Sequence, residues 1–235
     1  MADKQTPTLK ALIKRHLTWS DWVMIVMNII PIYGVLQLGW QAKDIFLVYI
    51  LESVIVGVFN VFQMWLTTLV KPKDEWSNGG ASTLVSGYFF IFFFIIHYGF
   101  FVFIQMIFFF GAARYPGLGN GFSAPAKFLL HLPTYVQGYT RWLLIGFVIS
   151  YFFGIIKDYV LSGKFRTQSL GVQMFSPYGR IFVQQFAVII GSFLLLLDLG
   201  TVFIIVFVIV KIFFGILLNF EQIATQQNKE KNLSE

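Results

Sequence analysis

The chain contains no cysteine. Disulfides, iron–sulfur clusters, thiolate zinc sites and cysteine nucleophiles are therefore excluded. Charge is scarce as well: Asp, Glu, Lys and Arg make up 12% of the 235 residues. A soluble domain carries roughly 25%, so an ordinary soluble fold is not expected. Catalytic signatures are missing too. The sequence has no HExxH, no GxSxG and no Walker motif, and zinc-protease, serine-hydrolase and P-loop chemistry need those spacings. The run GLGNG at Gly117–Gly121 lacks the GxGxxG spacing and follows no strand, so it makes a poor phosphate cradle. No internal repeat is visible, and no small-residue cleavage site follows the first apolar run, so that run is not read as a signal peptide.

What fills the chain is apolar surface. Apolar residues make up 57% of it, 29 of the residues are Phe, and the mean hydropathy is +0.73. A membrane helix needs about 20 mostly apolar residues. Six stretches qualify: Trp22–Trp40, Ile45–Leu66, Leu84–Phe110, Trp142–Val160, Ile181–Leu197 and Gly200–Phe220. The expected fold is all-α, a polytopic bundle of six transmembrane helices over residues 22–221. Asp198 beside Gly200 predicts a tight turn that makes the last two spans a helical hairpin. Residues 1–21 are an expected amphipathic segment. Leu9, Leu12, Ile13 and Leu17 share one helical face there, with Lys10, Lys14 and Arg15 elsewhere, as in a short interfacial helix or a simple topology anchor. Residues 222–235 form a polar tail.

Orientation follows from Lys and Arg near the span ends. With the N-terminus inside, the split is 12 inside against 4 outside. Both termini are therefore expected in the cytoplasm of a bacterial inner membrane, with residues 71–81 a polar cytoplasmic hairpin and residues 111–140 the largest outer loop. Trp19, Trp22, Trp40, Trp65 and Trp142 sit at span ends, where an amphipathic ring meets the headgroups. The net charge of +6 then reports topology, and no nucleic-acid partner follows from it. The expected partners are the lipid bilayer and either other membrane subunits or a second copy of the chain.

Polar residues inside the spans carry the functional information. A charge at a helix centre costs about 2.5–3.5 kcal/mol on insertion scales. Glu52, His97 and Lys211 fall well inside spans, with Asn28, Asn60, Gln63, Gln105, Gln184 and Gln185 as polar companions. At about 100° per residue, Glu52 and Gln63 lie roughly 20° apart, Asn60 lies within about 80° of Glu52, and His97 and Gln105 differ by about 80°. Lys211, Gly215 and Asn219 form one stripe, and Gln185 and Ser192 share a face. By helical rise Glu52 lies about 10 Å below the outer end, Lys211 about 15 Å, and His97 and Gln185 about 20 Å. The expected site is an intramembrane polar core of Glu52, His97, Lys211, Gln105, Gln185 and Asn60, with Glu52 and Lys211 facing each other. The bland reading of the same residues is hydrogen-bonded packing and interhelical glue. No catalytic residue, metal ligand set or cofactor is expected.

The pieces Asn28-Ile-Ile-Pro31, Tyr49-Ile-Leu-Glu52-Ser-Val-Ile-Val-Gly57, His97-Tyr-Gly-Phe-Phe101 and Pro177-Tyr-Gly-Arg180 carry a resemblance. The chain resembles an uncharacterised bacterial family of multi-pass membrane proteins known only as a domain of unknown function. Members show Tyr-Trp-x-Glu-Asn in the second span, where this chain has Ile50 and Ser53. The resemblance implies further histidines where Gln105 and Gln185 stand, and an Asp where Gly215 stands. A multi-histidine metal or haem site in relatives would be largely lost here, since glutamine replaces imidazole poorly at a transition metal. It implies a membrane role and a Glu52–His97–Lys211 core, and supplies no activity.

Two functions compete. One is a small transporter, channel or proton-relay protein, with Glu52 as carrier, His97 as relay and Lys211 as counter-charge. The other is a non-catalytic accessory or assembly subunit of a membrane complex, its polar core only glue. An intramembrane enzyme or haem protein is a third class, but the spans hold a single histidine. The balance falls on the non-enzymatic side.

Overall fold

The computed structural model describes residues 19–78 and 81–212. The N-terminal segment, the polar tail, Gly215 and Asn219 lie outside the described residues, as does the Lys211 side chain. The elements are α1 (Trp19–Gln37), α2 (Ala42–Val70), β1 (Lys73–Asn78), β2 (Ala81–Ser86), α3 (Gly87–Ala113), α4 (Ser123–Leu130), α5 (Leu132–Tyr135), α6 (Gly138–Ile155), α7 (Leu170–Phe175), α8 (Tyr178–Leu196) and α9 (Gly200–Ile212). A π-helical turn, Ile156–Leu161, prolongs α6.

The chain is predominantly helical because its apolar runs are long and rarely interrupted. Among the described residues three helices are long and apolar enough to cross a membrane: Ala42–Val70, Gly87–Ala113 and Gly138–Leu161. At 29 residues, α2 measures about 44 Å, longer than a hydrocarbon core of about 30 Å. Shorter apolar helices cover Ile25–Gln37, Ile181–Leu196 and Gly200–Val210. Pro31 sits inside α1 and removes one of its backbone hydrogen bonds.

α2 is the central post. Every residue from Ile45 to Ser53 is buried, so that stretch is enclosed on all sides. It touches α3, α6, α7, α8 and α9, while α3 also packs on α8, α8 on α9, and α1 on α6 and α9. Phe46 stacks on Phe109, Phe203 and Phe207, joining α2, α3 and α9. The Phe runs of α3 split between two jobs. Phe90, Phe94, Phe109 and Phe110 are buried, and Phe89, Phe92 and Phe100 are exposed along the outer face.

The sequence expectation needs correction in three places. The fold is not purely helical: residues 73–86 form a β-hairpin, with Lys73 paired to Ser86 and Asn78 to Ala81. α3 therefore starts at Gly87, after the strand that takes Leu84. The large loop is ordered into α4 and α5, and a further short helix, α7, precedes α8. The turn at Asp198 is as expected: α8 ends at Leu196, α9 starts at Gly200, and Asp198 takes φ 59°, which a short polar side chain tolerates.

Candidate functional site

α2 and α6 run side by side in the same direction, tied at three heights by tyrosines of α6 and of the π-helical turn that prolongs it. At their first end the Asp44 carboxylate accepts hydrogen bonds from Tyr139 at 2.6 Å and from Tyr115 at 2.7 Å. Trp40 stacks on Tyr139, centroids 4.5 Å apart. Burial, then the Asp44 charge and hydrogen bond, push the Tyr115 phenol above its ordinary value. In mid-helix, Tyr151 donates to Glu52 Oε1 at 2.9 Å. At the far end, Tyr159 shares a hydrogen bond with Thr67, donates to the Gln63 carbonyl at 3.1 Å, and lies beside Gln173 of α7.

Glu52 is the central feature of this ladder. It is 1% exposed, on the most enclosed stretch of the bundle. An ionisable carboxyl there is costly unless bonded or protonated. The Tyr151 hydroxyl serves either state, accepting from the acid or donating to the carboxylate.

His97 has a tyrosine of its own. Its Nδ1 and the Tyr178 hydroxyl share a hydrogen bond of 2.6 Å, and the ring stacks on Phe93 and meets Phe101 edge-on. Between the two sites Tyr98 donates to the Ser53 carbonyl at 2.9 Å. Ser53 and Tyr98 are the chain neighbours of Glu52 and His97, so the two titratable groups stand at one height. They turn to different helices, Glu52 to Tyr151 on α6 and His97 to Tyr178 on α8. Gln184 Nε2 donates to the Tyr49 carbonyl at 2.5 Å, and Tyr49 donates to the Asn28 carbonyl at 3.4 Å. Asn60 Nδ2 donates to Met64 Sδ at 3.7 Å on its own helix, and Ser192 bonds back to Val188. Gln105 of α3 is fully buried, and Gln185 of α8 is half-buried. The expected Glu52–Lys211 pair lies outside the described residues.

Tyr151 and Tyr178 are the site residues that sequence reading missed. Their signal was present, as hydroxyls inside apolar runs, but tyrosine serves equally at membrane interfaces. A third missed residue is Asp74 in the hairpin. It is 3% exposed and accepts from Lys71 Nζ at 2.5 Å, from the Glu75 N–H at 2.9 Å, and from the Leu170 N–H at 2.5 Å. The last bond pins the hairpin to α7. Burial alone would raise the Asp74 carboxyl, but the Lys71 ammonium and the two N–H groups outweigh it and hold the carboxyl below its ordinary 3.8. A depressed carboxyl stabilises the fold fully above its unfolded value, and that contribution is lost as pH falls through the folded value. Asp74→Asn is therefore expected to lower the melting temperature at neutral pH. The gap from wild type should close as pH falls below 3.8; a gap that stays constant with pH would exclude Asp74 as the cause.

Among the described residues no group of three or more His, Asp or Glu side chains could hold a metal ion. Three cavities are lined almost wholly by apolar side chains: about 420 Å³ between α2 and α3, about 520 Å³ beside α3 and α8, and about 550 Å³ between α8 and α9. Comparison with curated proteins and with solved structures returns no match. Residues 10–233 match the model of a family of unknown function, DUF6498, and the chain belongs to that family.

Proposed function

We propose that the protein is a six-span integral membrane protein, both termini cytoplasmic, that acts as a small transporter, channel or proton relay through its polar core. The carrying observation is the Glu52 carboxyl, 1% exposed in the middle of the bundle's central helix and bonded by Tyr151. Ionisable groups at such depth are functional by default. In this reading Glu52 takes up and releases the proton or cation. Tyr151 follows its charge state, and His97 with Tyr178 is a second station at the same height. Lys211 is the counter-charge, and Gln105, Gln185 and Asn60 supply uncharged polar surface. A bacterial inner membrane is the expected setting. Proton movement into vesicles carrying the purified protein, with Glu52→Gln as the control, tests this reading.

The alternative is an accessory subunit or a homo-oligomer. Its support is the exposed aromatic face of α3, where Phe92 is 65% exposed and Phe100 59%. Lipid covers such a face as well as a partner does. Recovery of a monodisperse monomer from mild detergent would count against it.

Orientation has its own test. The native chain has no cysteine, so Asn120→Cys gives a single thiol in an exposed position of the α3–α4 loop. The expected result is labelling by an impermeant thiol reagent on intact cells. Labelling only after lysis would invert the topology.

A further inference from the structure

The seam between α2 and α6 changes character along its length. On α2, Glu52, Val56, Phe59, Gln63 and Thr67 fall within about 80° of one another at about 100° per residue. Facing them, Tyr151, Ile155 and Tyr159 recur every four residues, and both tyrosines bond to this stripe. The seam therefore has two polar stations. One is Glu52 with Tyr151. The other, at the hairpin end, is Gln63 and Thr67 with Tyr159 and Gln173. From Glu52 to Gln63 the helix rises about 16 Å. Between the stations the stripe is apolar. Phe59 lies against the Tyr151 ring, centroids 6.3 Å apart, and Ile155 is buried.

Polar atoms at the hairpin end call for water. Gln173 is 1% exposed. Its Nε2 has no hydrogen-bond partner among the described residues, and neither has the buried Gln168 Oε1. The buried Asn60 amide, next to Phe59 in the chain, donates to the Met64 sulfur, a weak acceptor. Unmade bonds in an apolar surrounding are costly, and ordered water commonly fills such places. The Gln105 amide and Gln185 Oε1 are unbonded too, but they belong to α3 and α8. Towards Asp44 the α2 helix is closed. Ile45 to Leu51 are all buried, and the one hydroxyl among them, that of Tyr49, donates to the Asn28 carbonyl. We propose that Glu52 is reached from the hairpin end through a hydrated seam, and that Phe59, with Val56 and Ile155, is the apolar gate across it. Apolar constrictions gate by shedding water. With Phe59 swung aside, water joins Gln63 to Glu52. A hydronium ion at the hairpin end then gives its proton to the Glu52 carboxylate, leaving water and the neutral acid, and the reverse step releases it. This inference rests on the proton-relay reading of Glu52 and adds its route and its gate.

The chain has no cysteine, so single introduced thiols report water along the seam. Gln63→Cys, Val56→Cys and Val58→Cys are purified in lipid nanodiscs and reacted with a charged methanethiosulfonate. Gln63→Cys, on the hairpin side of the gate, is expected to label. Val56→Cys, on the Glu52 side, should resist, and should label about tenfold faster once Phe59→Ala is added. Val58 is 62% exposed on the outside of α2, at nearly the depth of Val56. Val58→Cys should stay unlabelled with or without Phe59→Ala, since lipid carries no charged reagent. A second arm reads proton flux in vesicles. Phe59→Ala should raise it about tenfold over wild type, Phe59→Leu should raise it less, and adding Glu52→Gln should abolish either gain. The proposal is overturned if Gln63→Cys does not label, a result that needs no gate variant to fold. It is also overturned if Val56→Cys labels at one rate with and without Phe59→Ala, or if Val58→Cys labels as fast as Val56→Cys. A Phe59→Ala flux equal to a measurable wild-type flux overturns it as well. Wild type without flux but with the expected labelling would remove the proton-relay reading and support the gated seam.

Discussion

Tyr151→Phe is expected to destabilise the folded protein by about 1–3 kcal/mol, the cost of taking one donor from a buried acceptor. The readout is a lower melting temperature in detergent. Phenylalanine keeps the ring and its place beside Phe59, so only the hydroxyl is lost. The acceptor is Glu52 Oε1 at 2.9 Å. A partner cycle makes the result specific. Glu52→Gln alone and Tyr151→Phe alone should each lower stability, and the double variant should lose less than the two together. Residues that share a hydrogen bond couple by roughly 0.5–3 kcal/mol. Simple additivity would mean that the bond contributes nothing and that Glu52 is held by other groups.

The second large effect belongs to Gly191. A Cβ built there would lie 2.1 Å from Phe46 Cζ and 2.3 Å from Phe203 Cε1. Both rings are locked. Phe46 is fully buried and stacks on Phe203, which in turn stacks on Phe207. Neither ring can swing away without disturbing α2 and α9 together. Gly191→Ala is therefore expected to cost about 1–3 kcal/mol by overpacking. Since glycine is the poorer helix former by about 1 kcal/mol, the same substitution on an exposed site such as Gly99, where nothing approaches within 4 Å, should stabilise. A melting temperature for Gly191→Ala at or above wild type would show that α8 does not press on Phe46 as described.

Helix positions were legible because apolar runs of about 20 residues have few alternatives. The Asp198 turn was legible because a carboxylate and a glycine interrupt an otherwise continuous apolar run. Burial of Glu52 followed from the sequence for the same reason: the residues on either side of it are apolar. Its partner did not follow. Tyr151 lies 99 residues away, and nothing in local spacing selects it over the other tyrosines. Asp74 was hidden by composition. It sits among Lys71, Pro72, Lys73 and Glu75, and reads as a solvated loop charge until the hairpin folds onto α7. The hairpin's second strand, Ala81–Ser86, was masked by Leu84 and Val85, whose hydropathy merges with the helix that follows. Gln105 and Gln185 were placed correctly inside their helices, while their missing hydrogen bonds are a property of the packed bundle alone.

Proton flux through vesicles tests the central claim most directly. Purified wild type, reconstituted with a pH-sensitive dye inside, should dissipate an imposed pH gradient faster than protein-free vesicles. Glu52→Gln, which preserves shape but cannot lose a proton, should return the rate to that of protein-free vesicles while remaining folded by circular dichroism. Tyr151→Phe should fall between the two. A wild-type rate equal to that of empty vesicles, or a Glu52→Gln rate equal to wild type, would contradict a transport role for the buried carboxyl and leave the polar core as packing.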